Sequence, residues 1–428
     1  MFGKFFSKER KARSTADGCL EIADKVWNFR RDVLTDSQSG ELRRLSGSLR
    51  RLLSSGADTG SIRGATESLE AALRTMGGAV YPTSLLAENV EFILIVAIVI
   101  IGFRAYFAQN FEIPTNSMWP TYNGMTPDVF PRRADEPGPL REAGRILALG
   151  AWPHRMNAPV DGEVLIPLGG RDSLGYIHSR PVAGLTWLVF PSKKRECTLL
   201  VGDQPVKVRL PVDFDFDWAV YTGFFGHNGA YSHRSLAAAI EERLQAGDYA
   251  DELVDGELLH CIRTGRQVRA GDRVFAFDVL AGDKVFVDRI LYNFSRPTVG
   301  TGFVFSTAKI PGIAGTYGDE YLIKRLVGVP GDTLEVKGTA LYSNGAPIAG
   351  SPEFGANARR LGRYPGYEAV GLLRAGSTVH VEPGTYFAMG DNSPNSFDGR
   401  YWGFVPAKEA IGPPMFIYYP LARWGIAR

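Results

Sequence analysis

The chain of 428 residues carries a formal net charge of +2, 11% aromatic residues, 49 glycines and 26 prolines. That length allows two or three domains, and the balanced charge gives no footing for nucleic-acid binding. The three cysteines, Cys19, Cys197 and Cys261, form no CxxC pair and no ligand spacing with the six histidines, so neither a metal nor another cofactor is expected. Glycine, proline and aromatic content together point to strands and turns, a mainly β fold.

In chain order, residues 1–84 read as a helical region. Cys19, Ile22, Val26, Phe29 and Val33 recur at spacings of three and four, and Leu42, Leu45, Leu49 and Leu52 repeat the pattern after the break TDSQSG. The expectation is a helical hairpin hiding two apolar stripes, or stripes left open for a partner, followed by a weaker helix from Ile62 to Met76. Next comes VEFILIVAIVIIGFRAYFAQN, residues 90–110. Its aliphatic composition on every face predicts one transmembrane helix over 85–108, with Glu91 and Arg104 near the boundaries and the lipid bilayer as partner. The segment starts too deep in the chain for a cleaved secretory signal. Lys4, Lys8, Arg43, Arg44 and other basic residues before it place the N-terminus in the cytoplasm and the remainder outside.

Beyond it the pattern changes to alternation. VKVRLPV, KVFVDRILY, GFVFST, YLIKRLVGV and TVHVEP read as strands, HRSLAAAIEERLQAG as a helix stopped by Gly247, and PRRADEPGPLREAG, 131–144, as a solvated linker. AGDRVFAFDVL and AGDKVFVDRIL, 270–291, form a local repeat of strands entered through Gly-Asp turns. APVDGEV, 158–164, echoes GRQVRAGDRV, 265–274; the pair resembles the halves of a barrel-sandwich hybrid fold without its modified lysine.

Three stretches carry chemistry. In FEIPTNSMWPTY, 111–122, Pro114 and Pro120 pin the backbone around Ser117. A serine needs a base. His154, His178, His227, His233, His260 and His380 stand in no triad signature, which leaves lysine. An unperturbed lysine has a pKa near 10.4 and is only about 0.1% neutral near pH 7.4, so the base must be buried among apolar groups. Lys324 in DEYLIKRLVGVPGD fits: in a strand it shares a face with Leu322 and Leu326 while Arg325 points away. The third stretch, MGDNSPNSFDGRYWGFVP at 389–406, holds small polar residues able to form a hydrogen-bonded corner or an ordinary Asx-rich turn.

These blocks in this order resemble the type I signal peptidases, bacterial leader peptidases with a Ser-Lys dyad. IPTNSMWPT is similar to the family's nucleophile box, EYLIKRLVGVPGD to its lysine box and GDNSPNSFDGRYWGFVP to its third box; GDKVFVDRILY, RPTVGTGFVF and LYSNG are similar to linking segments. The resemblance implies an antiparallel β peptidase core with Ser117 as nucleophile and neutral Lys324 as general base. It further implies an oxyanion hole from Thr115 and the Ser117 amide, Ser396 orienting the lysine, support from Asp391, Asn392, Asp398 and Arg400, and Met118 along the substrate groove. Implied partners are exported preproteins with Ala-x-Ala-like cleavage sites and the secretion translocon. The implied location is the bacterial inner membrane, single-pass, with the peptidase on the periplasmic side.

Ser393 and Pro394 replace an Arg and an Asp common in the family, Gly399 a serine and Thr301 an aspartate, which predicts a weakened surrounding network. The peptidase domain is expected over 109–126 and 282–428, split by a β-rich inserted domain at 127–281. Cys197 and Cys261 both fall inside the insertion, as a disulfide or as two buried thiols. Two rivals are a self-cleaving Ser-Lys repressor, disfavoured by the membrane helix, and an inactive membrane adaptor that works through the insertion.

Overall fold

A computed structural model describes residues 2–81, 85–170, 175–186, 190–226, 231–313, 315 and 318–427. It resolves into two compact units, Met1–Ile101 and Gly102–Arg428. The first is built from helices Phe2–Arg30, Asp36–Ser54 and Thr59–Met76. Thr35 and Gln38 close a capping box at the start of the second helix, and Asp58 caps the third. Ala16, Ala23 and Val26 meet Leu42 and Leu49 from the second helix and Ile62, Leu69 and Leu73 from the third in one core. The expected hairpin is therefore a three-helix arrangement. The third helix completes its core, while Phe29 and Val33 of the first stripe stand exposed.

Two expectations fail. The protein is not mainly β: it is 36% helical and 31% strand. The first hundred residues carry no strand-forming alternation, and helices also occupy turns that the Gly and Pro content suggested. Nor does the expected transmembrane helix hold. The helix Leu85–Tyr106 forms, but among the described residues no helix is long and apolar enough to cross a membrane. Glu91 and Arg104 bracket an uncharged run, Phe92–Phe103, that rises about 18 Å against the ~30 Å of a hydrocarbon core.

The second unit is built on antiparallel sheets. One has Ala108–Glu112, Lys284–Asp288, Pro414–Tyr419 and Gly425–Ile426 in that spatial order. A second places Tyr321–Gly328 between Thr385–Met389 and Gly302–Ser306, with Phe303 opposite Lys324 and Arg325 opposite Met389. A smaller sheet carries Thr333–Lys337 between Ala340–Ser343 and Thr378–His380.

Between the two halves of this framework lie a three-stranded sheet centred on Arg273–Leu280 and a six-stranded one. In the latter, Gly162–Pro167 pairs with Glu257–Val268, Gly162 opposite Val268, so the two echoed segments lie side by side. The two repeat segments, by contrast, enter different sheets. Cys197 and Cys261 are both free and buried. Cys197 packs with Val164, Leu199 and Phe277, whereas Cys261 packs with Leu165, Leu200 and Leu259, in a separate apolar cluster. The predicted linker is ordered structure: helix Pro139–Leu149 presents Arg145 to Asp128 and the fully buried Asp278, and Glu136 pairs with Arg273.

Candidate active site

Ser117 sits at the start of a turn leaving strand Ala108–Glu112. Asn116 folds this loop back on itself, donating from Nδ2 to the Met125 carbonyl at 2.6 Å and accepting from the Gly124 amide at 3.0 Å. Asn392 then holds the loop from outside. Its amide donates to the Ser117 carbonyl at 3.0 Å, and its side chain donates to the Asn116 carbonyl at 3.0 Å. Gly390 is required beside it, because a Cβ there would lie 2.4 Å from the Ser117 carbonyl oxygen and 2.2 Å from Ser396 Oγ. The Ser117 amide and the exposed Thr115 hydroxyl make no hydrogen bond within the described residues, and both residues line the cleft.

Lys324 projects from its strand into the same place. It is 4% exposed and its Nζ donates to Ser117 Oγ. Burial pushes the ammonium pKa down to about 8, with Asp398 pulling upward and Arg400 downward. The two residues are 207 positions apart and are hydrogen-bonded across the fold.

Around them the third block forms a dry corner. Arg400 and Asp398 are fully buried and joined by two bonds of 2.8 Å, and Asp398 also accepts from the Gly390 amide at 3.0 Å. Burial alone would raise the Asp398 carboxyl; Arg400 outweighs it and holds the group below its ordinary value. Ser393 contributes where a weaker network was expected: its hydroxyl accepts from Arg400 at 2.5 Å and from the Glu368 amide at 2.9 Å. Gly399 fits because a Cβ would come within 2.8 Å of the Ala388 carbonyl.

Asp391 belongs to a second pair that sequence reading missed. Arg325 grips it with bonds of 2.7 and 2.6 Å, and Thr121 donates to the same carboxylate. The alternation that aimed Arg325 away from Lys324 was the available signal, since a buried strand forces an arginine on its far face to find an acid.

Two expected roles are not matched in geometry. Ser396 Oγ is buried without a partner, so the bond to Lys324 is not formed. Met118 is fully buried among Ile113, Tyr122, Val285 and Val304, outside the lining of the cleft. No described histidine bonds Ser117; His233 lines the cleft but its Nδ1 pairs with the Tyr231 hydroxyl at 2.9 Å. His227 lies outside the described residues.

The pair lies in a cleft of about 480 Å³. One side is the sheet region Phe111, Ile113, Val285, Val304 and Leu322; the other is formed by residues from 195 to 233, including Arg195, Asp213, Trp218 and Tyr231. That second side is tied down by Asn395, which accepts from the His233 amide at 3.0 Å and donates to the Tyr231 carbonyl at 3.1 Å. Trp119 beside the serine loop meets Trp218 edge-on at 5.4 Å.

A hydroxyl bonded to a buried, pKa-depressed amine, in an open cleft between antiparallel strands, has the form of a serine–lysine hydrolase site. A family profile described as signal peptidase, peptidase S26, matches residues 276–419. A probable signal peptidase I-1 of Synechocystis sp. is 33% identical over 144 residues, covering 34% of this chain and 66% of that protein. The signal peptidase I of Bacillus licheniformis is 32% identical over 160 residues, covering 35% of this chain and 80% of that one. Signal peptidase I S of Bacillus subtilis is 32% identical over 153 residues, covering 34% and 78%. The chain belongs to the signal peptidase I family. It spans just under two thirds of the Synechocystis relative, and the profile match begins after Ser117.

Proposed function

We propose that this chain is a serine endopeptidase that removes signal peptides from preproteins. The single observation that carries the mechanism is the bond between Lys324 Nζ and Ser117 Oγ inside the cleft. Family membership supports the substrate class. With Lys324 neutral, its lone pair accepts the Ser117 proton as Oγ attacks the scissile carbonyl. The resulting ammonium then protonates the leaving amine, and a water deprotonated by the amine releases the acyl group from Oγ. The free amide of Ser117 and the hydroxyl of Thr115 receive the oxyanion, each donor worth about 3 kcal/mol. Asp398–Arg400 and Asp391–Arg325 fix the strands and loop that aim the dyad. Residues 109–126 and 282–428 act as the peptidase domain and 127–281 as an insertion.

Signal peptidase I proteins are generally membrane-associated; no described helix supplies a single-pass anchor. The test is cleavage of a model preprotein by Ser117→Ala and Lys324→Ala variants with circular dichroism as the folding control. Loss of cleavage in both, with unchanged spectra, is the expected result; turnover retained by either overturns the mechanism.

A further inference from the structure

One wall of the cleft combines carboxylates with a stacked pair of aromatic rings. Asp213 is exposed and makes no hydrogen bond or ion pair among the described residues. Asp215 accepts from the Tyr231 hydroxyl at 3.2 Å, and its second oxygen lies 3.9 Å from His233 Nε2. Trp218 and Tyr231, which line the same cleft, are stacked at 5.5 Å with planes 6° apart. Asp217 is already committed to the amides of Tyr176 and Ile177. Arg195 is 5% exposed and lines the same wall; it donates to the Phe214 carbonyl, and its Nε has no partner. At the rim of the core side, the exposed Glu320 carboxylate is also unpaired.

We propose that Arg195, Asp213, Asp215, Trp218 and Tyr231 form a specificity subsite that selects a substrate segment bearing a lysine or arginine. The proposal rests on the peptidase reading above and adds the class of substrate residue. A lysine or arginine side chain is an apolar stem with a cationic tip. The outer surface of this stacked pair takes the stem and attracts the cation, and Asp213 and Asp215 receive its charge. Arg195 donates to the Phe214 carbonyl and so holds the backbone that carries Asp213 and Asp215. The wall is held against the third block by Asn395, so it is positioned to read the segment lying across the dyad. The family profile does not reach these residues, since its match begins at 276.

The experiment compares kcat/KM for two model preproteins that differ at one position near the cut bond, lysine against glutamine. The position is moved along the segment in a series. Wild type is expected to favour lysine by about fivefold at one or two positions, the size of an exposed ion pair, and less at high salt. Asp213→Asn lowers that ratio towards one, and Asp213→Lys takes it below one, in favour of the glutamine substrate. Asp203→Asn, on an exposed turn of the insertion away from the cleft, keeps the wild-type ratio. A wild-type ratio of one at every position overturns the proposal, as does a lysine preference that both Asp213 variants retain. Efficient glutamine-substrate cleavage, lost in Ser117→Ala, shows that the peptidase reading stands whichever way the ratio falls. Failure of wild type to cleave either substrate overturns both.

Discussion

The corner behind the dyad and the outer sheet of the insertion are both rich in ion pairs, but they spend charge differently. In the corner, Asp398 and Arg400 are both 0% exposed and Arg325 and Asp391 are 1% and 0% exposed. On the insertion, Glu196 is shared by Arg180, Lys207 and Arg209, whose side chains are 44%, 28% and 66% exposed. In the dry corner each charge must have its partner, because water cannot replace it. On the sheet, water and salt stand ready to substitute. The corner therefore sets geometry rigidly around Ser117 and Lys324, whereas the sheet network tolerates change. The contrast predicts a steep ranking of mutational effects.

The largest stability loss is expected in the corner. Asp398→Ala leaves the Arg400 guanidinium buried with no carboxylate, at a cost of about 3–5 kcal/mol. Urea denaturation measures it, and a loss below about 1 kcal/mol would show the corner to be as wet as the sheet. The pair is also pH-sensitive. Because the folded Asp398 carboxyl titrates below its ordinary value, its contribution is present above that value and is lost as pH falls through the folded one.

Lys324 inverts that logic. Its folded pKa of about 8 lies below the unfolded value, so the protein carries a penalty for the buried ammonium at pH below 8. As pH rises from about 8 to the unfolded value near 10.4, the folded state releases its proton first and the penalty fades. Lys324→Met is accordingly expected to abolish cleavage yet stabilise the fold at pH 7 by about 2–3 kcal/mol, a gap that closes by pH 11. In wild type, kcat should rise through an acid limb near pH 8. A flat profile between pH 6 and 9 would remove Lys324 as the base.

Ser117 and Lys324 were legible as a candidate pair because the proposed chemistry needs particular residue types in particular settings. A proline-pinned serine and a lysine in an apolar strand are local patterns, and the bond between them follows from the fold. Arg325–Asp391 was less legible: alternation put Arg325 on the far face, but nothing local says that an acid 66 positions on will meet it. The contribution of Trp218 and Tyr231 to the cleft was not legible, since a short helix, a loop and the turn holding Asn395 meet there from distant parts of the chain. The helix at Leu85–Tyr106 was legible as a helix, while the step to a membrane span counted Glu91 and Arg104 as boundary residues to reach a length that the uncharged run lacks. The reading of 131–144 as a solvated linker holds for its exposure, since most of the segment is exposed, but not for its order, since its second half enters the helix Pro139–Leu149. Charged residues were taken as solvated, yet Arg145, just beyond it, and Glu136 both find buried or half-buried partners.

Backbone approach offers a finer probe of the corner than charge removal. Gly390→Ala keeps every ion pair but inserts a methyl group against the Ser117 carbonyl and Ser396 Oγ. The neighbours have to move by several tenths of an ångström, and the serine loop is one of them. The expected outcome is a fall in kcat of about tenfold or more with KM less affected, because misplacing the nucleophile weakens the transition state rather than binding. Single-turnover kinetics separates the two. A variant with unchanged kcat would mean that the loop adjusts without cost, and the corner would be softer than its burial suggests.

The smallest effect should come from the wet side. Arg209 donates to Glu196 Oε2 at 3.0 Å but is two-thirds exposed, and Arg180 and Lys207 remain on the same carboxylate when it is removed. Arg209→Ala is expected to cost no more than about 0.5 kcal/mol, and less in high salt, where screening weakens what little is gained. Urea midpoints at low and high ionic strength measure this directly. The result bears on more than one residue. If the cost were several kcal/mol and insensitive to salt, Glu196 would be behaving like Asp398, and the insertion would be as rigid a scaffold as the corner. A small, salt-screened cost instead leaves the hold of Asn395 on Tyr231 and His233 as what fixes the insertion's wall over the cleft.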